Sequence, residues 1–93
     1  MNQAEFSTQL ARDGFDDIET RTMAPNLYNA AHSHAFEVRA LMLAGELTLD
    51  WEDKHHTFTA GEVFTMAAGC EHTEWFGVEG ATYLVGRKHL PGK

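Results

Sequence analysis

Phe6 and Leu10 stand four residues apart in an otherwise mostly polar opening stretch, the spacing of one helix face, and Gly14 can close such a helix in a left-handed conformation. The pattern predicts a helix over residues 3–13, packed on the rim of whatever follows. From Ile18 the period falls to two, with Ile18, Thr20 and Thr22 alternating with Glu19, Arg21 and Met23 until Pro25 breaks the ladder. Leu47, Leu49 and Trp51 share one strand face, Glu52-Asp53-Lys54 reads as a turn, and His56, Phe58 and Ala60 form one face of the returning strand. Gly61, Gly69, Gly77 and Gly80 then punctuate strands at 63–66, 72–76 and 81–87.

About eight short strands and no alternation of helix and strand give an all-β class, a small jelly-roll β-barrel or sandwich with one short N-terminal helix. Nothing divides the chain, so residues 1–93 are expected to form one domain, with the barrel over about 18–87. Residues 88–93, which include Pro91 and Gly92, are expected to be a loose tail.

Composition narrows the class of partner. Apolar residues make up 43% and charged residues 23%, the balance of a folded globule. The formal charge is −7 and the basic residues never cluster, which argues against a nucleic-acid partner. No stretch approaches the roughly 20 apolar residues of a membrane helix, and the N-terminus lacks a secretory pattern. With Cys70 as the single cysteine no internal disulfide can form, and the chain is expected to be soluble and cytoplasmic.

Candidate chemistry lies in the histidines. In a strand, His32 and His34 project from the same face one pleat apart, which is chelating geometry for one ion. A half-buried pair bonded to neighbours is the competing reading. His55 and His56 follow the turn and read as surface residues, His89 falls in the tail, and Cys70 reads as a loop thiol.

The residues around the pair resemble the cupin family over about 26–76. That family's first motif runs glycine, five residues, His-x-His, three or four residues, glutamate, six residues, glycine. Here Asn26 stands in the first glycine slot, followed by His32, His34 and Gly45. Asn is the best non-glycine residue where a positive φ is needed. The second motif runs glycine, five residues, Pro-x-Gly, two residues, histidine, three residues, asparagine. Gly61, Gly69 and His72 match it, while Ala67 and Phe76 replace the proline and the asparagine.

The resemblance implies a barrel interior in which His32, His34 and His72 hold one divalent transition metal, whether Zn, Fe, Mn, Ni or Cu. The motif glutamate is the departure. Its slot is Val38, whereas Glu37 sits one residue early, and one residue reverses side-chain direction in a strand. A bulge would return Glu37 to the inside as a ligand and would bring Arg39 with it. Glu74, two residues after His72, competes for the fourth position. Alternatively, Glu37, Arg39 and Glu74 form a solvated charge set.

Tyr28, Arg39, Met42 and Glu74 are expected to line a pocket beside the metal. Met42, like Phe36, Phe64, Phe76, Trp51 and Trp75, also suits plain packing. The resemblance implies a small-molecule ligand or substrate, as in cupin dioxygenases and isomerases, without naming a reaction. It equally allows a non-catalytic sensor in which the metal is structural or absent. A homodimer is expected from exposed strand edges.

Overall fold

Asn2 starts the one helix among the described residues. Its side chain accepts from the Glu5 amide at 2.8 Å and the Glu5 carboxylate accepts from the Asn2 amide at 3.3 Å, a reciprocal cap that satisfies two otherwise orphaned donors. In the computed structural model, which describes residues 1–89, helix α1 spans Gln3–Arg12. It ends in a Schellman turn: Gly14 holds φ +87° and the Phe15 amide donates to the Leu10 carbonyl at 2.9 Å.

Six strands follow among the described residues: β1 (Asp16–Met23), β2 (Tyr28–His32), β3 (Phe36–Trp51), β4 (Lys54–Thr59), β5 (Val63–Met66) and β6 (His72–His89). The eight expected strands become six because β3 and β6 run straight through Gly45, Gly77 and Gly80 instead of stopping at them. Lys88 and His89 likewise continue β6 rather than beginning a tail, opposite Glu37 and Phe36, while residues 90–93 lie outside the described residues.

Every pairing is antiparallel. The register of β3 on β6 shifts twice, between Met42 and Ala44 and between Gly45 and Leu47. Such irregularities bend a strand and increase its twist. Each long strand therefore contributes to two walls. One wall comprises β1, the second half of β6, the first half of β3, and β5; the other comprises β2, the first half of β6, the second half of β3, and β4.

Strand alternation fills the space between the walls. Ala40, Met42, Phe64, Met66, Tyr83 and Val85 come from the first wall and Leu47, Leu49 and Phe76 from the second, forming one buried cluster. Leu41 and Leu84 point the opposite way and are covered by Phe6, Leu10 and Phe15. The helix thus packs on the outer face of β3 and β6, not on the rim, because both strands carry apolar residues outward at this level. Gly86 lies under it: a Cβ there would sit 3.1 Å from side-chain atoms of Leu10 and Phe15. Among the described residues no helix is long and apolar enough to cross a membrane.

The tightest backbone approach at a glycine is between the neighbouring strands β3 and β6. Gly45 and Gly80 both hold φ +74°, and a Cβ on Gly45 would lie 2.1 Å from the Gly80 carbonyl oxygen. Gly61 also has positive φ but has nothing within 4 Å of a built Cβ. Gly61→Ala should therefore cost only the left-handed penalty, about 1–2 kcal/mol. Gly45→Ala adds a backbone collision and should cost more than about 3 kcal/mol. Urea unfolding of both variants tests this, and equal losses would contradict it.

Candidate metal centre

Cross-strand pairing explains why distant histidines meet. His32 on β2 stands directly opposite His72 on β6, and Asn29 stands opposite Glu74. Two residues separate Asn29 from His32 on β2 and only one separates Glu74 from His72 on β6, so β2 carries one extra residue, a bulge at Ala30-Ala31. Directly paired side chains have Cβ atoms about 5 Å apart. His34 follows in the connection to β3, where its carbonyl accepts from the Gly69 amide at 2.8 Å and its ring stacks on Phe36 at 4.9 Å.

The three rings converge. Centroid separations are 4.4 Å for His32–His72, 4.9 Å for His32–His34 and 5.4 Å for His34–His72. One ligating atom from each lies within 4.8 Å of the others. Two nitrogens bound about 2.1 Å from one ion lie at most about 4.2 Å apart. The set is thus within a fraction of an ångström of bonding reach.

Hydrogen bonds fix the tautomers of two rings. His32 Nδ1 lies 2.7 Å from the Ala30 carbonyl and His72 Nδ1 lies 3.1 Å from the Cys70 carbonyl. A carbonyl only accepts, so both Nδ1 atoms carry hydrogen and donate it. In the neutral rings the lone pairs are then on Nε2, the arrangement by which outer hydrogen bonds prepare histidines for metal. His34 is held below the usual imidazole value, chiefly by burial and then by His32 and His72, so at neutral pH its ring is uncharged.

Glu74 completes the cluster. Its Oε1 lies 3.7 Å from His32 Nε2 and its Oε2 3.6 Å from His72 Nε2, while Asn29 Nδ2 donates to Oε1 at 2.8 Å. A carboxylate and neutral Nε2 atoms are all acceptors, so nothing in this arrangement bonds them to one another. A cation, either a proton on a ring or a metal between them, would join these groups. The donor set, three imidazoles and one carboxylate, fits a divalent transition metal.

The other expected site residues lie elsewhere. Glu37 is not in the cluster: Phe36, Glu37 and Val38 pair in unbroken register with His89, Lys88 and Arg87, so no bulge turns Glu37 inward, and Val38 faces the cavity from the motif's glutamate slot. Arg39 shares the outer face with Glu37, donates to Asp13 at 2.6 Å and lies over the Phe15 ring at 4.5 Å, which ties the helix to the sheet. Tyr28 is 58% exposed opposite Trp75, because the β2 bulge puts Asn29 inside instead. Met42 is buried in the core away from the cavity lining.

His55 contacts Asp50, His56 Nε2 lies 3.0 Å from Glu62, and His89 lies 3.3 Å from Asp17, all on the surface. The Cys70 thiol lies 3.8 Å from the Glu71 carbonyl and is not among the clustered ligands.

A cavity of about 180 Å³ opens beside the cluster, between the two walls. Asn29, His32, His34 and Glu74 line its polar side. Phe36, Val38, Phe64, Val85 and Met23 supply apolar lining, and Arg21, Tyr83 and Arg87 complete it from β1 and β6. Sequence reasoning missed Asn29, Arg21, Tyr83 and Arg87. Strict alternation on β1 and β6 would have found the last three, since Arg21 shares a face with Met23, and Tyr83 and Arg87 share one with Val85. The bulge that selects Asn29 has no sequence signal.

No family model matches the chain, and no curated protein matches it. Solved structures do. A protein of unknown function from Rhizobium leguminosarum bv. viciae 3841 superposes with TM-score 0.73 at 22% identity over 78% of this chain and 69% of that one. A predicted oxalate decarboxylase from Thermotoga maritima gives 0.69 at 16% identity over 89% and 74%. A cupin superfamily protein from Desulfitobacterium hafniense DCB-2 gives 0.64 at 15% identity over 80% and 66%. At these identities the likeness carries the fold alone, and that fold is the cupin fold.

The depressed His34 value has a consequence for the metal-free protein. A histidine that titrates lower when folded than when unfolded costs nothing above its ordinary 6.5. The unfolded chain gains the proton first as pH falls, so stability should decline from there through the lowered value. Urea titrations of chelator-treated protein should show this slope, and His34→Ala should flatten it. An unchanged slope in the variant would contradict the assignment.

Proposed function

We propose that this cupin-fold chain binds one divalent transition metal through His32, His34 and His72, with Glu74 as fourth donor, and takes a small molecule into the adjoining cavity. The observation that carries the reading is the convergence of one ligating atom from each of the three histidines to within 4.8 Å, with the Glu74 carboxylate beside them. The resident ion would supply a Lewis acid beside the cavity. The chain's own residues fix the rings through Ala30 and Cys70, orient Glu74 through Asn29, and surround the cavity with apolar side chains that limit water.

One observation favours a second reading, a small-ligand sensor without metal. Glu74 lies close enough to His32 and His72 that a proton could bridge the same groups. Metal analysis of protein purified without chelators separates the two. The first reading expects a stoichiometric transition metal, and protein that stays metal-free after incubation with zinc, iron, manganese, nickel and copper overturns it.

Site variants sharpen the test. His72→Ala should abolish metal uptake, while His56→Ala should leave it unchanged. Glu74→Gln should weaken metal affinity about 10–100-fold, and Glu37→Gln should not alter it. Equal metal content in wild type and His72→Ala would reject the ligand set.

A further inference from the structure

The two walls of the cavity differ in charge. The histidines that line it, together with Glu74, come from β2, the first half of β6 and the β2–β3 connection, whereas Arg21 and Arg87 come from β1 and the second half of β6. Arg87 Nη1 donates to Glu19 at 3.2 Å and its guanidinium lies 5.6 Å from the Phe36 ring centroid. Arg21 makes no ion pair or hydrogen bond through its side chain among the described residues. Arg39, Lys54 and Arg87 each have an acidic partner, whereas Arg12, Arg21 and Lys88 have none among the described residues, and of these three Arg21 alone, an exposed residue, lines this cavity.

Tyr83 adds a donor between these groups. Burial keeps its phenol protonated, and it makes no side-chain hydrogen bond among the described residues. Two guanidiniums against the carboxylates of Glu19 and Glu74 leave the cavity close to neutral, and a divalent ion would make it cationic. At about 180 Å³ it is smaller than the roughly 300–1,000 Å³ of a drug-sized site.

We infer that the cavity takes a small organic anion, a short-chain carboxylate whose charged end is held by Arg21 with Arg87 on one wall while its other end reaches the histidine cluster on the opposite wall. A guanidinium fork matches a carboxylate geometrically, and its donors are charged. Phe36, Val38 and Phe64 would enclose the short apolar body. The inference rests on the cavity being the ligand site proposed above and adds the chemical class of the ligand.

Butyrate and its neutral counterpart butyramide, titrated by NMR into zinc-treated protein at low salt, test it. Butyrate should bind at least about tenfold more tightly than butyramide, the effect of one charge-assisted contact. Arg21→Gln should remove most of that preference without changing the melting temperature, and Arg21→Lys should restore part of it.

Equal affinity for the two probes overturns the inference, as does binding of neither at millimolar concentration. A butyrate preference that survives the Arg21→Gln/Arg87→Gln double variant also overturns it, since the carboxylate is then held elsewhere. Zinc content measured in the same samples keeps the two readings apart. Arginine-dependent butyrate preference in zinc-free protein would sustain the anion and defeat the metal, and bound zinc with no such preference would do the reverse.

Discussion

The backbone collision that only hydrogen can avoid, where Gly45 lies against Gly80, organises the rest of the molecule. Because the two longest strands change register there without ending, each half of β6 serves a different wall. The first half delivers His72 and Glu74, and the second delivers Tyr83, Val85 and Arg87. A chain of 93 residues has little interior to divide, and this change of register lets one core and one cavity share it.

The sequence was most readable where a residue type answers a local backbone demand. Asn26 holds φ +60°, as a substitute for a motif glycine should, and its amide donates to the Gly77 carbonyl at 2.9 Å. The helix was legible through Phe6, Leu10 and Gly14. The convergence of His32, His34 and His72 was legible because the spacing of two motifs carries information that no single strand contains. What could not be read were the irregularities of register. A bulge in β2 exchanges Tyr28 for Asn29, and the absence of one at Phe36–Val38 leaves Glu37 outside. A bulge is decided by long-range pairing, and its energetic signature is spread over residues far apart in sequence.

The outward turn of Glu37 also explains Arg39. With Glu37 directed away from the cavity, alternation sends Arg39 the same way, where it meets Asp13 at the helix C-terminus and the face of Phe15. Its guanidinium holds the Asp13 carboxyl below the usual range, so this contact strengthens above the ordinary carboxylate value and fades as the acid is protonated. An arginine expected beside the metal instead fastens the helix. Its expected role as the cavity's cation is filled by Arg21 and Arg87.

The departure at Val38 bears on chemistry as well as on fold. An apolar residue in the glutamate slot removes a carboxylate from the first motif, while Glu74 supplies one from the second, on the same strand as His72 and oriented by Asn29. This carboxylate stands on the opposite wall from Val38. Val38 then leaves an apolar surface where the motif places a charged one, between the histidines and Arg87. A ligand crossing from one wall to the other would meet polar groups at its ends and hydrocarbon along its middle, a distribution that favours a short chain with a charged terminus over a polyhydroxylated molecule.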